Sequence, residues 1–309
     1  MDLNTYQREA QATDRVPSKK GTDDAGNNLV IPLLGLAGET GELLSEYKKH
    51  LRDGASHLLF KERVSEELGD LLWYIANVAE KFDLKLGDIA QQNLEKASGR
   101  WGPQDTGAII FDAEFQDHER LPRAFEVELN EVIVDGRTTI QMRIDGEKIG
   151  DDLTDNADDP DGYRFHDVFH LAYVAVLGWS PVIRKLMKRK RKSVPKIDEV
   201  QDGGRAQVLD EGVAALVFDY AKEHNWLKGV NDLDYKLLRT IKGVTSLLEV
   251  RERSLGEWQR AILLGFDVWR QVLQSSGGRI LVDQNARNMT FLGPLGKAPI
   301  KSALKLEVN

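Results

Sequence analysis

The chain has 309 residues, of which 42 are Lys or Arg and 50 are Asp or Glu, giving a formal net charge of -8, and it has no cysteine. Those values exclude a disulfide framework, a thiol nucleophile and a thiolate metal site, and they argue against a chain that coats nucleic acid along its whole length. The length suits one large domain or two ordinary ones, and the pattern along the chain points to two. The opening MDLNTYQREAQATDR is charged throughout and no stretch approaches 18 consecutive apolar residues, so the expected compartment is cytoplasmic, with no membrane contact.

Residues 1–15 read as a first helix, and the polar, glycine-containing stretch 17–28 as a loop. Two helices with acidic edges follow. Leu33, Leu36, Leu43, Leu44, Tyr47 and Leu51 recur at helical spacing and predict a buried stripe, with Glu39 and Glu42 about 60° apart along its border. Residues 61–82 repeat the arrangement: Val64, Leu68, Leu71, Leu72, Ile75 and Ala79 form the stripe, and Glu67 and Asp70 edge it. The turn around Arg52-Asp53-Gly54 predicts antiparallel packing, which brings the four carboxylates together. Such a cluster either takes up protons or holds a cation, and hard oxygen ligands select magnesium, or manganese, over zinc. The blander reading is four solvated surface charges.

A break at 83–87 precedes the next helix, beginning near Asp88, on which Asn93, Lys96 and Arg100 share one face. A cationic line opposite a carboxylate cluster suits a triphosphate, although Glu95 or a neighbouring helix would also pair with it. Asn77 and Tyr74 continue the line of Glu67 and Asp70 and are placed to orient water or touch a nucleotide, while Trp73 points toward packing or a dimer surface. Lys49 falls on the line of Glu42, as a phosphate contact or as a partner for Glu46.

The runs GLAGETGELLSEYKKHL, EELGDLLWYIANVAEKFDL and IAQQNLEKASGRW, with their ExxE and ExxD pairs, resemble the MazG-type nucleoside triphosphate pyrophosphohydrolases. The opening Leu3-Asn4-Thr5-Tyr6-Gln7, with Thr13, is similar to the start of short MazG-like domains. The resemblance covers residues 1–102. It implies an all-α bundle, dimeric or larger, that binds magnesium and splits a nucleoside triphosphate into monophosphate and pyrophosphate. On that reading Glu39, Glu42, Glu67 and Asp70 hold metal and one of them positions or deprotonates the attacking water. Lys96 and Arg100 neutralise the polyphosphate, and Lys49, Asn77 and Asn93 are further substrate contacts.

Gly102-Pro103 closes this region, dividing the chain into 1–102 and 103–309. Beyond it, alternation at Phe125-Val127-Leu129 and Ile140-Met142-Ile144, with Asp135-Gly136 and Asp145-Gly146 as turns, predicts a small antiparallel sheet. Residues 151–161, DDLTDNADDPD, read as a solvated acidic loop without EF-hand spacing. Helices are expected near 163–177, 181–190, 205–224, 234–248 and 255–274, and short runs at 279–282 and 288–292 are candidates to rejoin the sheet. The fold class is therefore mainly α: an all-α N-terminal bundle followed by a mostly helical α+β domain, similar to the C-terminal extensions of some MazG domains.

Two features of the second half carry chemistry. His166-Asp167-Val168-Phe169-His170 sets two histidines one helical turn apart, a spacing that holds metals, though Asp stands where the zinc-protease HExxH pattern has its general-base Glu. Asp210 or Glu211 would complete such a site; the alternative is a histidine hydrogen-bonded within a helical core. RKLMKRKRK, 184–192, reads as a solvated basic helix end, with a polyphosphate or nucleic-acid contact as the less favoured reading. The leading function is thus a magnesium-dependent pyrophosphohydrolase. Its rivals are a nucleotide sensor controlling a C-terminal effector, and a bifunctional protein with a second metal-dependent hydrolase site around His166, Asp167, His170 and Glu211.

Overall fold

A computed structural model of the chain describes residues 1–15, 27–101, 110–134 and 136–295, and its contacts divide into two units, Met1–Ser98 and Gly99–Asn309. The N-terminal unit is built from α1 (Leu3–Gln11), α2 (Asn27–Asp53), α3 (Phe60–Lys81) and α4 (Leu86–Trp101). Asp2 caps α1 by accepting from the backbone N–H groups of Asn4 and Thr5 at 3.0 and 2.9 Å. Two residues of the LNTYQ opening then fasten α1 to the α3–α4 turn. Gln7 Oε1 accepts from Leu86 N at 2.8 Å, its Nε2 donates to Leu84 O at 2.9 Å, and Asn4 Oδ1 accepts from Gly87 N at 2.9 Å.

The helices start earlier than the sequence suggests. Asn27 and Asn28 belong to α2 and not to the preceding loop, whose residues 17–26 lie outside the described residues, and α4 begins at Leu86, before Asp88. As expected, α2 and α3 run antiparallel. Gly35 faces Tyr74 so closely that a Cβ would sit 2.2 Å from the ring, and at the other end His50 stacks on Phe60 with centroids 4.0 Å apart.

The predicted buried stripes need correction. Leu33, Leu44, Tyr47 and Leu51 of α2 and Leu68 and Ile75 of α3 are exposed, and the core of the unit is Ala10, Ala76, Ala79 and Leu86, with Tyr6 and Trp73 packed on it. Helical periodicity marks a side that is apolar, but one antiparallel partner covers only a narrow line of it. The rest of each stripe faces outward.

The C-terminal unit contains a five-stranded antiparallel sheet in the order β3-β2-β1-β4-β5, from β1 (Ala124–Val134), β2 (Arg137–Ile144), β3 (Glu147–Leu153), β4 (Gly277–Asp283) and β5 (Asn288–Gly293). The alternation read from sequence is the inward face. Phe125, Val127, Leu129, Ile140, Met142 and Ile144 are buried, with Val127 opposite Ile144 and Leu129 opposite Met142. Asp145 and Gly146, at φ 51° and 79°, make the tight turn into β3 that a two-residue hairpin requires. Gly277, at φ 114°, lets β4 pass β1: a Cβ there would lie 2.3 Å from Leu129 O.

Around the sheet lie α5 (Asp167–Leu177), α6 (Pro181–Leu186), α7 (Pro195–Val200), α8 (Gly204–Glu223), α9 (Tyr235–Val244) and α10 (Leu255–Gln274). All of α5 is buried, against α10 and strands β4 and β5, with Gly265 leaving room for Phe169 and Ala172. Among the described residues no helix is long and apolar enough to cross a membrane.

Two surface expectations are overturned here. The basic run is not a solvated helix end. Helix α6 stops at Leu186, Lys188 turns to φ 57°, and Arg184 and Arg191 are 2% and 1% exposed. Arg184 Nη2 donates to Asp112 Oδ2 at 2.9 Å and its Nη1 to Glu119 O at 2.7 Å; Arg191 Nη2 donates to Asp202 Oδ1 and to Glu249 Oε1, both at 2.7 Å. Buried guanidinium groups demand such partners, and meeting them commits both arginines to the fold and leaves neither free for nucleic acid. In the acidic run, 151–153 complete β3, and Asp155 accepts from Gly162 N at 2.7 Å and Arg164 Nη1 at 2.9 Å, organising the approach to α5.

Candidate active site

Antiparallel packing of α2 on α3 has a chemical result at mid-helix. Glu39 from α2 and Glu67 and Asp70 from α3 each place a carboxylate oxygen within 4.8 Å of the others. Glu67 is held above the usual carboxylate range by its partial burial and by the charges of Glu39, Glu42, Asp70 and Glu66. Glu42 is thus near enough to be felt, although it stands outside the converging three. No salt bridge to any of the four occurs among the described residues. Three converging acceptor-only oxygens, with no salt-bridge partner among the described residues, fit a hard divalent ion.

Sequence reasoning missed Tyr6. Burial raises its phenol above the ordinary value and the charge of Asp70 adds to that, so this α1 residue is near enough to feel one of the carboxylates. Its position inside the LNTYQ opening was the available signal. Asn77, one of the expected contacts, is 2% exposed, and neither its Oδ1 nor its Nδ2 has a partner among the described residues. A buried amide with both polar atoms unmet is costly unless something else satisfies it.

The remaining expected contacts fare differently. Lys49 pairs with Glu46, whose other oxygen lies 3.2 Å from His57 Nε2, so its ammonium is already engaged within α2. Tyr74 is packed into the space left by Gly35, and Trp73 Nε1 donates to Thr13 Oγ1 at 2.8 Å. Asn93 is exposed on α4, and the side chains of Lys96 and Arg100 lie outside the described residues.

In the other unit the two histidines converge. His166 Nδ1 lies 2.9 Å from Tyr163 O and His170 Nδ1 lies 2.8 Å from Asp210 Oδ1, so the second nitrogen of each ring is the one left for other work. Glu211 Oε2 is 3.2 Å from His170 Nε2 and 3.6 Å from His166 Nε2, and Asp167 Oδ1 is 4.0 Å from His166 Nε2. Asp210 is in turn held by Ser180 Oγ at 2.6 Å and Val182 N at 3.1 Å.

Residues 106–294, well over half of the chain, match the family described as the MazG C-terminal domain. The chain belongs to the MazG family. Residues 32–102, which carry the converging carboxylates, match the MazG nucleotide pyrophosphohydrolase domain, so the N-terminal unit of this MazG protein is related to enzymes acting on nucleotides. The chain is also similar to the Gene 37 protein of Mycobacterium phage L5, at 35% identity over 111 residues, which is 35% of this chain and 94% of that protein. No solved structure matches the chain.

Proposed function

We propose that the N-terminal unit hydrolyses nucleoside triphosphates, or deoxy or modified forms of them, to the monophosphate and pyrophosphate with magnesium, or manganese, as cofactor. The observation that carries this reading is the convergence of Glu39, Glu67 and Asp70 within 4.8 Å, without a salt bridge among the described residues, in the segment that matches the pyrophosphohydrolase domain. These three, with Glu42 beside them, hold the metal. When bound, such an ion lowers the pKa of a coordinated water and draws charge from phosphate oxygens.

The protein's own groups do the rest. A carboxylate of the set accepts the proton of the attacking water as its oxygen bonds to the α-phosphorus, and the bond to the bridging oxygen breaks to release pyrophosphate. Asn77 offers one donor and one acceptor from a buried position, suited to the nucleoside portion. Lys96 and Arg100 of α4 supply charge to the polyphosphate.

The active form is a homodimer or larger. Val30, Ile31, Leu34, Leu44, Leu51 and Leu68 are exposed on the two helices that carry the acids, and apolar side chains in that number on one small helical unit are normally covered by a partner. Replacing Asp70→Asn or Glu39→Gln removes ligand charge at nearly constant volume. Each variant is expected to lose turnover by at least about a hundredfold with an unchanged circular dichroism spectrum. Wild-type activity in both variants at limiting magnesium would refute the assignment.

A further inference from the structure

We propose that the C-terminal unit holds its own metal site, distinct from the carboxylate cluster, in which His166, His170 and Glu211 bind a divalent ion of the zinc class and leave a coordination position open to an oxyanion such as phosphate. The case begins with tautomers. With Nδ1–H of His170 directed at Asp210 and Nδ1–H of His166 at the Tyr163 carbonyl, each ring has only Nε2 left as a ligand atom. Those two nitrogens face one carboxylate oxygen, at 3.2 and 3.6 Å. Acceptor facing acceptor is unfavourable, and something positive belongs between them.

A proton and a metal ion are the two candidates, and geometry separates them. One proton on His170 Nε2 would satisfy its contact with Glu211. It would leave His166 Nε2, 3.6 Å from Glu211 and 4.0 Å from Asp167, without a hydrogen bond to the protein. An ion serves all three groups at once. Ligand atoms 2.0–2.2 Å from a tetrahedral ion lie about 3.3–3.6 Å apart, close to the 3.2 and 3.6 Å from Glu211 Oε2 to the two imidazole nitrogens, and one ligand atom of each of the three residues lies within 4.8 Å of the others. The ring planes are inclined at 77°, as for ligands approaching one centre from different directions. The Asp210 carboxylate behind His170, itself fixed by Ser180 and Val182, is the outer hydrogen-bond partner that orients a metal-binding imidazole.

Two imidazoles and one carboxylate are a softer set than three carboxylates, and they select zinc, cobalt or nickel over magnesium. The fourth position has somewhere to go. His166, Asp167 and Glu211 line a cavity of about 500 Å³ whose walls also include Lys185, Gln207 and Gly204, the first residue of α8. Lys185 puts an ammonium in this cavity, close enough to Glu211 for its charge to be felt there. The N-terminus of α8 carries no side-chain cap from Gly203, leaving its backbone donors for an anion. Lys185 is the member of the basic run 184–192 that lines this cavity, while Arg184 and Arg191 are consumed by the fold.

Cobalt(II) tests this in the full chain. A background carrying Glu39→Gln, Glu67→Gln and Asp70→Asn removes the carboxylate site, so that one retained cobalt per chain, with the strong visible bands of a tetrahedral nitrogen-containing site, is the expected result. His166→Ala, and Glu211→Gln, which changes a half-exposed side chain and spares the fold, should each weaken cobalt binding by at least about tenfold. Inorganic phosphate should shift the bands, and Lys185→Ala should weaken that response while leaving cobalt bound. A background protein that retains no cobalt overturns the site in favour of a protonated His170, as does retention that His166→Ala and Glu211→Gln leave unchanged. Bands indifferent to phosphate at saturating concentration overturn the oxyanion ligand.

Discussion

The two units bury apolar residues to very different degrees. In the C-terminal unit every residue of α5 is buried, and the core runs without interruption from β1 and β2 through α5, α8 and α10 to β4. In the N-terminal unit the buried apolar core among the described residues is three alanines and one leucine, while leucines and isoleucines of α2 and α3 face outward. The C-terminal unit covers its own apolar faces. The N-terminal unit binds its proposed substrate on helices whose apolar sides await another copy, so catalysis and assembly are expected to stand or fall together there and not in the C-terminal unit.

The contrast can be broken most severely where the C-terminal unit is strongest. Arg184→Met leaves buried Asp112 with only Arg123 of its two arginine partners, and removing one member of such a buried network costs about 3 kcal/mol. Unfolding followed by the buried Trp179, Trp258 and Trp269 should show that loss, with nucleotide hydrolysis unaffected below the transition. A change under 1 kcal/mol would mean that the arginine is a surface group after all.

The contrast is sharpened by charging the exposed stripe. Leu34→Glu and Leu51→Glu, at positions 67% and 68% exposed, should weaken self-association by about 1–2 kcal/mol each, roughly five- to thirtyfold in the dissociation constant. Light scattering and activity measured at the same concentrations should fall together. Dissociation without loss of activity would separate assembly from catalysis.

These expectations mark the boundary of what the sequence makes legible. The alternation at Phe125 to Leu129 and Ile140 to Ile144 could be read because a strand's two faces differ at every second residue, and the carboxylate pairs because helical spacing and an antiparallel turn suffice to bring them together. The fate of Leu44 and Leu51 could not, since periodicity identifies an apolar side and not its neighbour. Arg184 and Arg191 were misread for a related reason. Their partners Asp112 and Glu249 lie 72 and 58 residues away, and a basic run seen without them looks like surface. The histidine pair and Glu211 were visible as candidates, but that both rings meet one oxygen of Glu211 is set only by how α8 packs near α5.

Smaller effects test the site itself. Asn77→Ala should raise KM about tenfold if its amide contacts the nucleotide, with stability unchanged or higher, because an unmet polar pair is removed. Unchanged KM would make Asn77 a packing residue. The mildest change is Glu67→Gln without metal. A folded-state carboxyl held above its ordinary value binds its proton more tightly folded than unfolded, so stability falls as pH rises from the ordinary value to the raised one. At neutral pH the amide should therefore raise the unfolding midpoint slightly, a gain that vanishes below the ordinary carboxylate range. A lowered midpoint at neutral pH would show that the charge is not under strain.

The central claim is that the carboxylates of α2 and α3 make a nucleotide pyrophosphohydrolase, and product identity tests it most directly. Purified full-length protein is incubated with magnesium and a panel of ribo-, deoxy- and modified nucleoside triphosphates, and the products are separated by anion exchange. Monophosphate and pyrophosphate in equal amounts, absent with Asp70→Asn, is the predicted result. Diphosphate with orthophosphate, or turnover that survives in Asp70→Asn, would contradict it.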